Sequence, residues 1–377
     1  MIKVGITGQP GFMGTHLFNL LGTQKDIERI PFRDEFFADE AQLRNFVRQC
    51  DAVVHLAAMN RHPDPQVIYD TNVRLVKQLI SAMEAEKVTP HVLFSSSTQE
   101  ERDNLYGASK REGRRLFAEW AKRNNAKFTG CVIPNVFGPH GRPNYNSVVA
   151  TFCHKLTHGE TPEIKVDGSI KLIYVGDLCE EFLREEFLRI IRAGEAADLH
   201  PIAPSGERKV SELLAAFENF KTKYFEQGVI PELATPFDLR LFNTFRGYID
   251  QAEFFPFKLK KNSDPRGDFV EIARLESLGG QVSFSTTRPG ITRGNHYHTR
   301  KIERFAVIRG KARIEMRRIG TDEKLSFELD GEAPAFVDMP IWYTHNITNI
   351  GGEDLYTIFW ISELYDPNDP DTFFEEV

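Results

Sequence analysis

The sequence predicts two domains of different fold class, an α/β domain built on a parallel sheet followed by an all-β barrel. Up to about Gly194, apolar strand-like runs alternate with longer helical patterns, which is the rhythm of a parallel sheet covered by helices. After a connector with two prolines between Phe254 and Gly267, short alternating strands continue to the end of the chain. The length of 377 residues also exceeds what one hydrophobic core usually serves.

The elements of each domain follow from these patterns. In the first domain, residues 1–254, short apolar runs bounded by turn residues predict parallel strands at 2–7, 52–56, 91–95 and 128–133. Amphipathic patterns at 211–225 and 235–248 predict two helices, which we expect to form a smaller substrate-facing lobe. In the second domain, residues 255–377, alternation of period two predicts barrel strands at 281–287, 303–308, 312–318, 325–329 and 355–361.

Composition and charge exclude several classes of partner. The formal net charge of -7 gives no basic surface for nucleic acid or for an anionic membrane, so we expect small molecules or protein subunits as partners. No apolar run is long enough to span a bilayer, and the start of the chain lacks the layout of a signal peptide, so we expect a cytoplasmic protein. The four cysteines form no C-x-x-C pair, which favours reduced packing thiols.

A glycine-rich turn follows the first predicted strand. It contains Gly8, Gly11 and Gly14, with Phe12 and Met13 between the last two, and it leads into a helical pattern. Glycine at such positions permits a tight turn and lets the backbone approach a pyrophosphate, while the helix N-terminus supplies unpaired N–H donors. The strand–turn–helix context favours a dinucleotide-binding loop over a glycine-rich turn that binds no ligand.

The preferred dinucleotide is predicted from the residue that follows the second strand. About 20 residues after the glycine turn, where an acidic side chain would bind the ribose hydroxyls of NADH, the chain has Arg33. An arginine suits a 2′-phosphate, so we expect NADPH as the cofactor. The alternative is that Arg33 is an ordinary surface residue.

A tyrosine and a lysine four residues apart indicate acid–base chemistry on a carbonyl group. Tyr106 and Lys110 share one face of a predicted helix, so the ammonium can lower the pKa of the phenol and make it a proton donor near neutral pH. The serine run that ends at Ser97 supplies a hydroxyl that can polarise a substrate carbonyl. The Tyr-x-x-x-Lys spacing is common by chance, but here the glycine loop, a His-Leu-Ala-Ala segment, the serines and the pair occur in one order.

Together these motifs resemble the extended short-chain dehydrogenase/reductase family, over about the first 250 residues. The resemblance implies a Rossmann-type sheet with Tyr106 as the acid/base and Lys110 as its partner and ribose contact. It implies Ser97 as the hydrogen-bond donor to the carbonyl, with Ser96 as the alternative. It also implies further cofactor contacts, and one substrate contact at Asn135; the cofactor contacts are Asp39, Leu56, Ala57, Ala58, Pro134 and Val136.

Two further stretches narrow the substrate. Sugar-nucleotide dehydratases of this family carry Thr-Asp-Glu where this chain has Ser97-Thr98-Gln99, which argues against a dehydratase and for a reductase or an epimerase. The polar stretch 141–147, with Asn144 and Asn146, can bind a sugar or a diphosphate, although a polar loop without a ligand is an equal interpretation.

Near the C-terminus, three histidines and a glutamate stand at spacings that suit a metal. His296 and His298 are two apart in a predicted strand and therefore point the same way, with Glu303 and His345 further along. They resemble the two motifs of a cupin barrel, although Trp342 stands where a glycine is usual. Three imidazoles and one carboxylate suit zinc or another first-row divalent ion, in a site that is either catalytic or closed and structural. Barrel histidines without a metal are the other interpretation.

Two residues near these ligands are candidate proton-transfer groups, Lys301 and Tyr343. A metal beside a ketone stabilises an enediolate and favours proton exchange at the adjacent carbon. Either residue can equally be an ordinary side chain at the mouth of a barrel.

Over its whole length the chain resembles the bifunctional UDP-sugar enzymes of capsular polysaccharide synthesis. The resemblance rests on the order of the two domains and on four segments, PNYNSVVATFC at 143–153, DPRG at 264–267, PGITRGNHYH at 289–298 and DPNDPDT at 366–372. It implies that the cupin domain epimerises carbon 3 of a UDP-2-acetamido-2,6-dideoxy-4-hexulose. The first domain would then reduce the 4-ketone with NADPH to UDP-N-acetyl-6-deoxy-L-talosamine, a precursor of UDP-N-acetyl-L-fucosamine. It also implies a homodimer formed through the barrel.

Two other functions remain open on the sequence alone. The cupin can be a structural or dimerising domain attached to a single-function NADPH-dependent 4-keto-sugar reductase. The protein can instead be a non-catalytic regulator that senses a cofactor or a sugar nucleotide, which the intact pair of Tyr106 and Lys110 disfavours.

Overall fold

The computed structural model describes residues 1–182, 197–254, 259–276 and 280–377. The chain forms two compact units, Met1–Phe217 with Thr235–Ile249 and Glu218–Ala234 with Asp250–Val377. The first unit is α/β with a parallel sheet and the second is built mainly of antiparallel strands, so the predicted fold class is confirmed. The boundary predicted at residue 255 falls on 255–258, outside the described residues. Segment 218–234, which the sequence assigned to the first domain, belongs to the second unit because its strand pairs there.

The first unit alternates strands and helices along the chain. Its strands are β1 (Ile2–Thr7), β2 (Ile27–Ile30), β3 (Ala52–His55), β4 (His91–Ser97), β5 (Phe128–Ile133), β6 (Asn135–Phe137), β7 (Ser169–Tyr174), β8 (Ala197–Pro201) and β9 (Gly206–Lys209). Its helices are α1 (Phe12–Leu21), α2 (Glu40–Gln49), α3 (Pro65–Glu86), α4 (Leu105–Asn124), α5 (Val148–Thr157), α6 (Val175–Glu181), α7 (Val210–Phe220), which continues past Phe217, and α8 (Pro236–Arg246). Short 3-10 turns follow β2 and β4, at Asp34–Ala38 and Thr98–Glu101.

A six-stranded parallel sheet forms the centre of the first unit, in the order β2-β1-β3-β4-β5-β8. Its central strands are apolar on both faces because helices cover both sides. Successive residues of β3 show this alternation, since Val54 packs into one apolar cluster with α1 and α6, and Val53 into another with α2, α3 and α4. The carboxyl ends of all six strands meet at one edge of the sheet, and the site described below lies at that edge.

Helix α4 carries the predicted acid–base pair, and its first turn is fixed by a local cap. The side chain of Asn104 accepts a hydrogen bond from Gly107 N at 2.7 Å, which satisfies one of the free amides of the first turn. Gly113 lets the helix approach the sheet closely, because a Cβ there would lie 2.9 Å from the Phe94 ring. The helix therefore holds Tyr106 and Lys110 at a set height beside β4.

The second unit is a barrel of two facing sheets. It contains a π-helical turn (Lys221–Glu226), β10 (Val229–Ile230), α9 (Gln251–Phe254), β11 (Lys261–Asp264), β12 (Gly267–Leu275), β13 (Gly280–Thr287), β14 (Thr292–Tyr297), β15 (Glu303–Arg309), β16 (Lys311–Arg318), β17 (Lys324–Asp330), β18 (Ala335–Met339), β19 (Tyr343–Asn349), β20 (Leu355–Ile361) and β21 (Phe373–Phe374). One sheet has the order β10-β12-β13-β20-β15-β18, with β11 beside β12, and the other β17-β16-β19-β14-β21. Buried apolar residues of β15, β16 and β19 pack between them, among them Val307, Ile314 and Ile347.

All four cysteines are buried and unpaired, as expected of packing thiols. Among the helices that the structure describes, none is long and apolar enough to cross a membrane.

Candidate active site and metal centre

A cleft of about 1920 Å³ opens at the carboxyl edge of the parallel sheet. Ligand pockets usually occupy roughly 300–1,000 Å³, so this cleft has room for a dinucleotide and a second ligand together. Predicted site residues lining it are Gly8, Gly11, Phe12, Met13, Gly14, Leu56, Ala57, Ala58, Ser97, Tyr106, Lys110, Pro134, Asn135, Val136 and Asn146. The topology thus brings most of the predicted residues of the first domain to one place.

The glycine turn has the geometry of a phosphate-binding loop. Gly8 has φ +71°, and a Cβ there would lie 2.8 Å from the backbone of Ala57. A Cβ at Gly14 would lie 2.3 Å from the carbonyl oxygen of Gly8. No side chain caps helix α1 at Gly11. The first amides of α1 are therefore free to bind an anion, and only glycine fits the two tight positions.

Tyr106 and Lys110 both face the cleft, but their electrostatics differ from the sequence prediction. Burial raises the pKa of Tyr106 to about 12, and the neighbouring Tyr145 adds to the shift. Burial lowers the pKa of Lys110 to about 8. The ammonium lies 5.7 Å from the centre of the Tyr106 ring and donates to the carbonyl oxygen of Ser95 at 2.8 Å. Burial of the phenol therefore opposes the lowering of its pKa that the sequence predicts from Lys110.

The three serines that end β4 have three different roles. Ser95 is buried, accepts from Lys110 and donates to the carbonyl oxygen of His55 at 3.1 Å. Ser96 is also buried and donates to the carboxylate of Glu100. Ser97 is half-buried and its Oγ accepts from Gln99 N at 3.1 Å, which leaves its hydroxyl hydrogen for a ligand in the cleft. The contacts favour Ser97 over Ser96 as the carbonyl donor.

A buried ion pair behind the serines was missed by the sequence reasoning. The Glu100 side chain is 10% exposed and accepts from Arg114 Nη2 at 2.8 Å and from Arg114 Nε at 3.1 Å. Arg114 lies one turn of α4 beyond Lys110, so the pair ties the turn after β4 to the helix that carries the acid–base residues. The only sequence signal was an acidic residue three positions after the serine run.

Two predicted cofactor residues lie elsewhere. Arg33 is exposed and is not among the described residues that line the cleft, whereas its neighbour Asp34 is. Asp39 caps α2: its Oδ1 accepts from the amides of Ala41 and Gln42. Its Oδ2 accepts from the Gln42 side chain at 2.9 Å. Both carboxylate oxygens of Asp39 therefore serve the helix cap, and Asp39 is not among the described residues that line the cleft, so its adenine contact stays a prediction.

The polar stretch 141–147 divides at Asn144. Asn146 lines the cleft, whereas the described lining does not include Asn144. Asn144 has φ 55°, and its amide donates to Thr151 Oγ1 at 3.0 Å. Arg61 donates to the carbonyl oxygens of Asn144 and Tyr145, at 3.2 and 2.7 Å. Asn144 therefore shapes the loop, and Tyr145 lines the cleft beside Tyr106, together with Asn146.

In the second unit, the four predicted metal ligands converge. One ligand atom from each of His296, His298, Glu303 and His345 lies within 4.8 Å of the others. Strands β14 and β19 place His296 opposite His345, and β15 begins at Glu303. His296 is partly exposed and the other three are buried, so the cluster opens on the side of His296.

The orientation of the imidazoles fits a metal. His298 Nδ1 bonds to the carbonyl oxygen of Asp371, and His345 Nδ1 to that of Tyr343 at 3.2 Å, so the Nε2 atoms of both rings face Glu303, with His345 Nε2 at 3.1 Å from Glu303 Oε2. His298 Nε2 is buried without a hydrogen-bond partner and lies 3.4 Å from Glu303 Oε2. A buried nitrogen lone pair with no donor facing it is what a divalent ion would satisfy.

The charge states of His296 and Glu303 suit metal binding, whereas for His298 burial is outweighed by contact with Glu303, which raises the pKa. Burial lowers the pKa of His296 to about 4, and the neighbouring His345 adds to this. Burial alone would raise the pKa of Glu303, but contact with His298 and His345 holds it well below the usual range. Neutral imidazole and ionised carboxylate are the forms that bind a metal.

The two proton-transfer candidates, Lys301 and Tyr343, differ in how deeply they are buried. Lys301 is 3% exposed and its ammonium donates to the carbonyl oxygen of Pro370 at 2.6 Å. Tyr343 is half-buried at the start of β19. Trp342, which precedes Tyr343 in the chain, has φ 62°, and its amide donates to the carbonyl oxygen of His298 at 2.8 Å. The left-handed backbone explains why glycine is usual there.

Two family models match the chain. The NAD dependent epimerase/dehydratase family covers residues 4–185, and the polysaccharide biosynthesis C-terminal domain covers residues 262–373. The first match contains the glycine loop and the Tyr106–Lys110 pair, and the second contains all four candidate metal ligands.

Relatives of known identity extend over both units. The UDP-2-acetamido-2,6-beta-L-arabino-hexul-4-ose reductase of Pseudomonas aeruginosa is 33% identical over 99% of this chain and 98% of its own length. The crystal structure of the capsular polysaccharide assembling protein CapF from Staphylococcus aureus is 31% identical, covers 100% of both chains and has a TM-score of 0.86. RMD from Pseudomonas aeruginosa, solved with NADPH, shares the fold at 21% identity and a TM-score of 0.52, over 59% of this chain and 83% of its own. The chain therefore belongs to the family of these two full-length relatives, in which an extended short-chain dehydrogenase/reductase domain is joined to a polysaccharide biosynthesis C-terminal domain.

Proposed function

We propose that this protein is a bifunctional sugar-nucleotide enzyme that makes a precursor of a capsular or other surface polysaccharide. Its barrel would epimerise carbon 3 of a UDP-2-acetamido-2,6-dideoxy-4-hexulose, and its first unit would reduce the 4-ketone to UDP-N-acetyl-6-deoxy-L-talosamine, on the route to UDP-N-acetyl-L-fucosamine. The observation that carries the proposal is the presence of two separate reactive centres in a chain whose curated relative is named as a reductase of such a 4-keto sugar nucleotide.

In the reductase half, two side chains act on the substrate carbonyl and a third supports them. NADPH supplies the hydride when it is bound along the glycine loop. Tyr106 donates a proton to the carbonyl oxygen as negative charge develops there, and Ser97 donates a hydrogen bond to the same oxygen. Lys110, whose burial lowers its pKa to about 8, supplies a positive charge beside the phenol and a donor to the cofactor ribose. Gln99, a neutral amide in the cleft, gives no acid to drive loss of water.

We propose NADPH rather than NADH as the donor, with Arg33 as the partner of the 2′-phosphate. Support comes from the position of Arg33 three residues after the end of β2 and next to Asp34, which lines the cleft. This assignment requires the exposed guanidinium to turn toward the cleft when the cofactor binds. Replacing Arg33 by alanine should raise the KM for NADPH and leave the KM for NADH unchanged. Equal effects on both would remove Arg33 from cofactor selection.

In the epimerase half, His296, His298, Glu303 and His345 would hold a divalent ion, most simply zinc. The ion supplies a Lewis acid for a ketone oxygen. The partly exposed edge at His296 is where a substrate could approach. Lys301 was the sequence candidate for the base at carbon 3; its bond to the Pro370 carbonyl and its burial favour an anchoring role instead.

The order of the two reactions follows from chemistry. Carbon 3 is acidic only while the neighbouring carbon is a ketone, so epimerisation must precede reduction. The reductase pocket must then discriminate between the two epimers, because a reduced sugar lacks the ketone that acidifies carbon 3 and can no longer be epimerised. Specificity should therefore reside in the cleft of the first unit.

A single-function reductase with a structural barrel is the second candidate. Four protein ligands can form a closed structural site, and the curated relative is named as a reductase alone.

We also propose a cytoplasmic homodimer that pairs through the barrel, where strand β17 is a sheet edge carrying the exposed side chains of Leu325 and Phe327. Light scattering of the purified protein tests the dimer.

The test of the proposed function is the product formed from the 4-keto UDP-sugar and NADPH in D2O, analysed by NMR. The bifunctional enzyme should give the L-talo product with deuterium at carbon 3. A reduced product that retains the original configuration and carries no deuterium there would leave only the reductase. No oxidation of NADPH would overturn both candidates.

A further inference from the structure

We infer that Asp371, in the C-terminal segment, is a positioning residue for the metal centre, holding the loop that contains His298 and Lys301 in the conformation that binds the ion. The inference deepens the proposed function and rests on its metal centre. It concerns a residue that does not touch the proposed ion itself and lies 73 positions from His298 along the chain.

The Asp371 carboxylate binds three consecutive residues of one loop. Its Oδ1 accepts from the amide of Thr299 at 3.0 Å and from the Thr299 hydroxyl at 2.6 Å. Its Oδ2 accepts from the amides of Arg300 and Lys301, both at 3.0 Å. Asp371 is only 3% exposed, and hydrogen bonds to a buried carboxylate are stronger than those between neutral groups.

The same residue orients the metal ligand through its backbone. The carbonyl oxygen of Asp371 is the partner of His298 Nδ1, so it selects the tautomer whose Nε2 lone pair faces Glu303. His298 lies just after the end of β14 at Tyr297 and outside that strand's hydrogen-bond ladder. It therefore depends on contacts from elsewhere for its orientation. Partners of this kind typically change metal affinity by roughly 10–100-fold when they are lost.

The segment around Asp371 is itself held in a defined place. Pro370 accepts from the Lys301 ammonium at 2.6 Å, and β21 pairs with β14 opposite His296 and Tyr297. Asp371 has φ 43°, a left-handed conformation that costs energy for a residue with a side chain. The C-terminal segment therefore contacts the loop through both Pro370 and Asp371. Asp371, which has the strained backbone, makes hydrogen bonds to three residues of the loop.

The test compares two matched substitutions in the full-length protein. Asp371→Asn keeps the shape of the side chain and tolerates the left-handed backbone, but it removes the charge and replaces one acceptor by a donor. Asp369→Asn makes the same change two residues away, where the exposed carboxylate only pairs with the Arg300 side chain. Zinc affinity is measured by competition with a chromophoric chelator. Asp371→Asn should raise the Kd by about 10–100-fold and Asp369→Asn by less than about twofold.

A second readout needs no metal. In the zinc-free protein, amide hydrogen exchange at Arg300 and Lys301 should speed up in Asp371→Asn and stay at the wild-type rate in Asp369→Asn. Equal zinc affinities for the two variants would overturn the inference while leaving the metal centre intact. A wild-type protein that binds no zinc would overturn the metal centre first and the inference with it, so the two failures are distinguishable.

Discussion

The two reactive centres of this chain are prepared for their ligands to different degrees. In the barrel, the four candidate ligand atoms already lie within 4.8 Å of one another, oriented by backbone carbonyls. In the cleft of the first unit, the Lys110 ammonium is 5.7 Å from the Tyr106 ring and bonds to Ser95 instead. The candidate metal ligands of the barrel therefore converge on one point, whereas the two acid–base residues of the cleft do not contact each other.

The difference reflects how each centre obtains its chemistry. A metal site needs neutral imidazoles and an ionised carboxylate converging on one point, which a rigid barrel supplies. The cleft instead shifts pKa values by burial, raising that of Tyr106 to about 12 and lowering that of Lys110 to about 8. These shifts favour a protonated phenol, which is the form needed to reduce a ketone. A bound cofactor and substrate are then required to complete the geometry.

The largest expected effect comes from breaking the cleft at its proton donor. Tyr106→Phe should reduce the rate of NADPH oxidation with the 4-keto sugar nucleotide by about 10²–10⁴-fold, the usual contribution of a positioned acid. The affinity for NADPH, measured by fluorescence titration, should change little because the phenyl ring remains. A rate within a factor of a few of wild type would remove Tyr106 from the chemistry.

Breaking the barrel centre should affect stability rather than reduction. At zinc concentrations of about 100 times the Kd, bound metal should add about 2.7 kcal/mol to the free energy of unfolding. His345→Ala should abolish this zinc-dependent increase, measured by urea denaturation at several zinc concentrations. It should leave NADPH oxidation with the already epimerised substrate unchanged. Zinc-dependent stability in the variant would show that the ion binds elsewhere.

The ion pair between Glu100 and Arg114 tests how much a buried charge stabilises the first unit beside the cleft. Glu100→Gln should lower the free energy of unfolding by about 1–3 kcal/mol, because Arg114 loses its charged partner away from solvent. The control is Glu112→Gln on α4, the helix that carries Arg114. The partner of Glu112, Arg115, is 52% exposed, so this substitution should lower the free energy of unfolding by less than about 1 kcal/mol. Equal losses in urea denaturation would show that the Glu100 pair is no stronger than a surface pair.

The Lys110 ammonium makes a pH-dependent contribution to stability. Its folded pKa of about 8 lies below the ordinary value of 10.5, so between these two values the unfolded chain holds more protons than the folded one. Stability should therefore rise with pH across this window, by at most about 1.4 kcal/mol per pH unit, and the gain should be lost as pH falls toward 8. Lys110→Met should flatten this part of the curve. An unchanged slope would contradict the shift.

The smallest effect concerns a residue that the sequence assigned to the cofactor. Asp39→Ala should cost about 1 kcal/mol of stability through the loss of a helix cap, with no change in NADPH affinity. Weaker NADPH binding without a loss of stability would restore the adenine contact that its hydrogen bonds argue against.

The features that could be predicted from the sequence are those whose residues lie close together along the chain. The glycine turn, the i,i+4 pair of Tyr106 and Lys110 and the alternating His296 and His298 each lie within one element and its turn, so their relative positions follow from helix or strand geometry. The fold class followed from periodicity in the same way. The helix cap formed by Asp39 at the start of α2 was not anticipated, although it too lies within one element and its turn.

Contacts between distant segments could not be predicted. Glu100 meets Arg114 through side chains on two elements, and Asp371 meets the loop after β14 from about 70 positions away. Neither spacing repeats a helix or strand period, so no pattern in the sequence marks them. Such contacts become visible only when the packing of the elements is known.

The central claim is that one chain carries two separable chemistries. The most direct measurement is deuterium exchange at carbon 3 of the 4-keto sugar nucleotide in D2O, followed by NMR with the zinc-loaded Tyr106→Phe variant and no NADPH. We expect that deuterium enters at carbon 3 at the wild-type rate and that the ketone is not reduced. No exchange in this variant, with zinc bound, would contradict the claim and leave a reductase with a structural barrel.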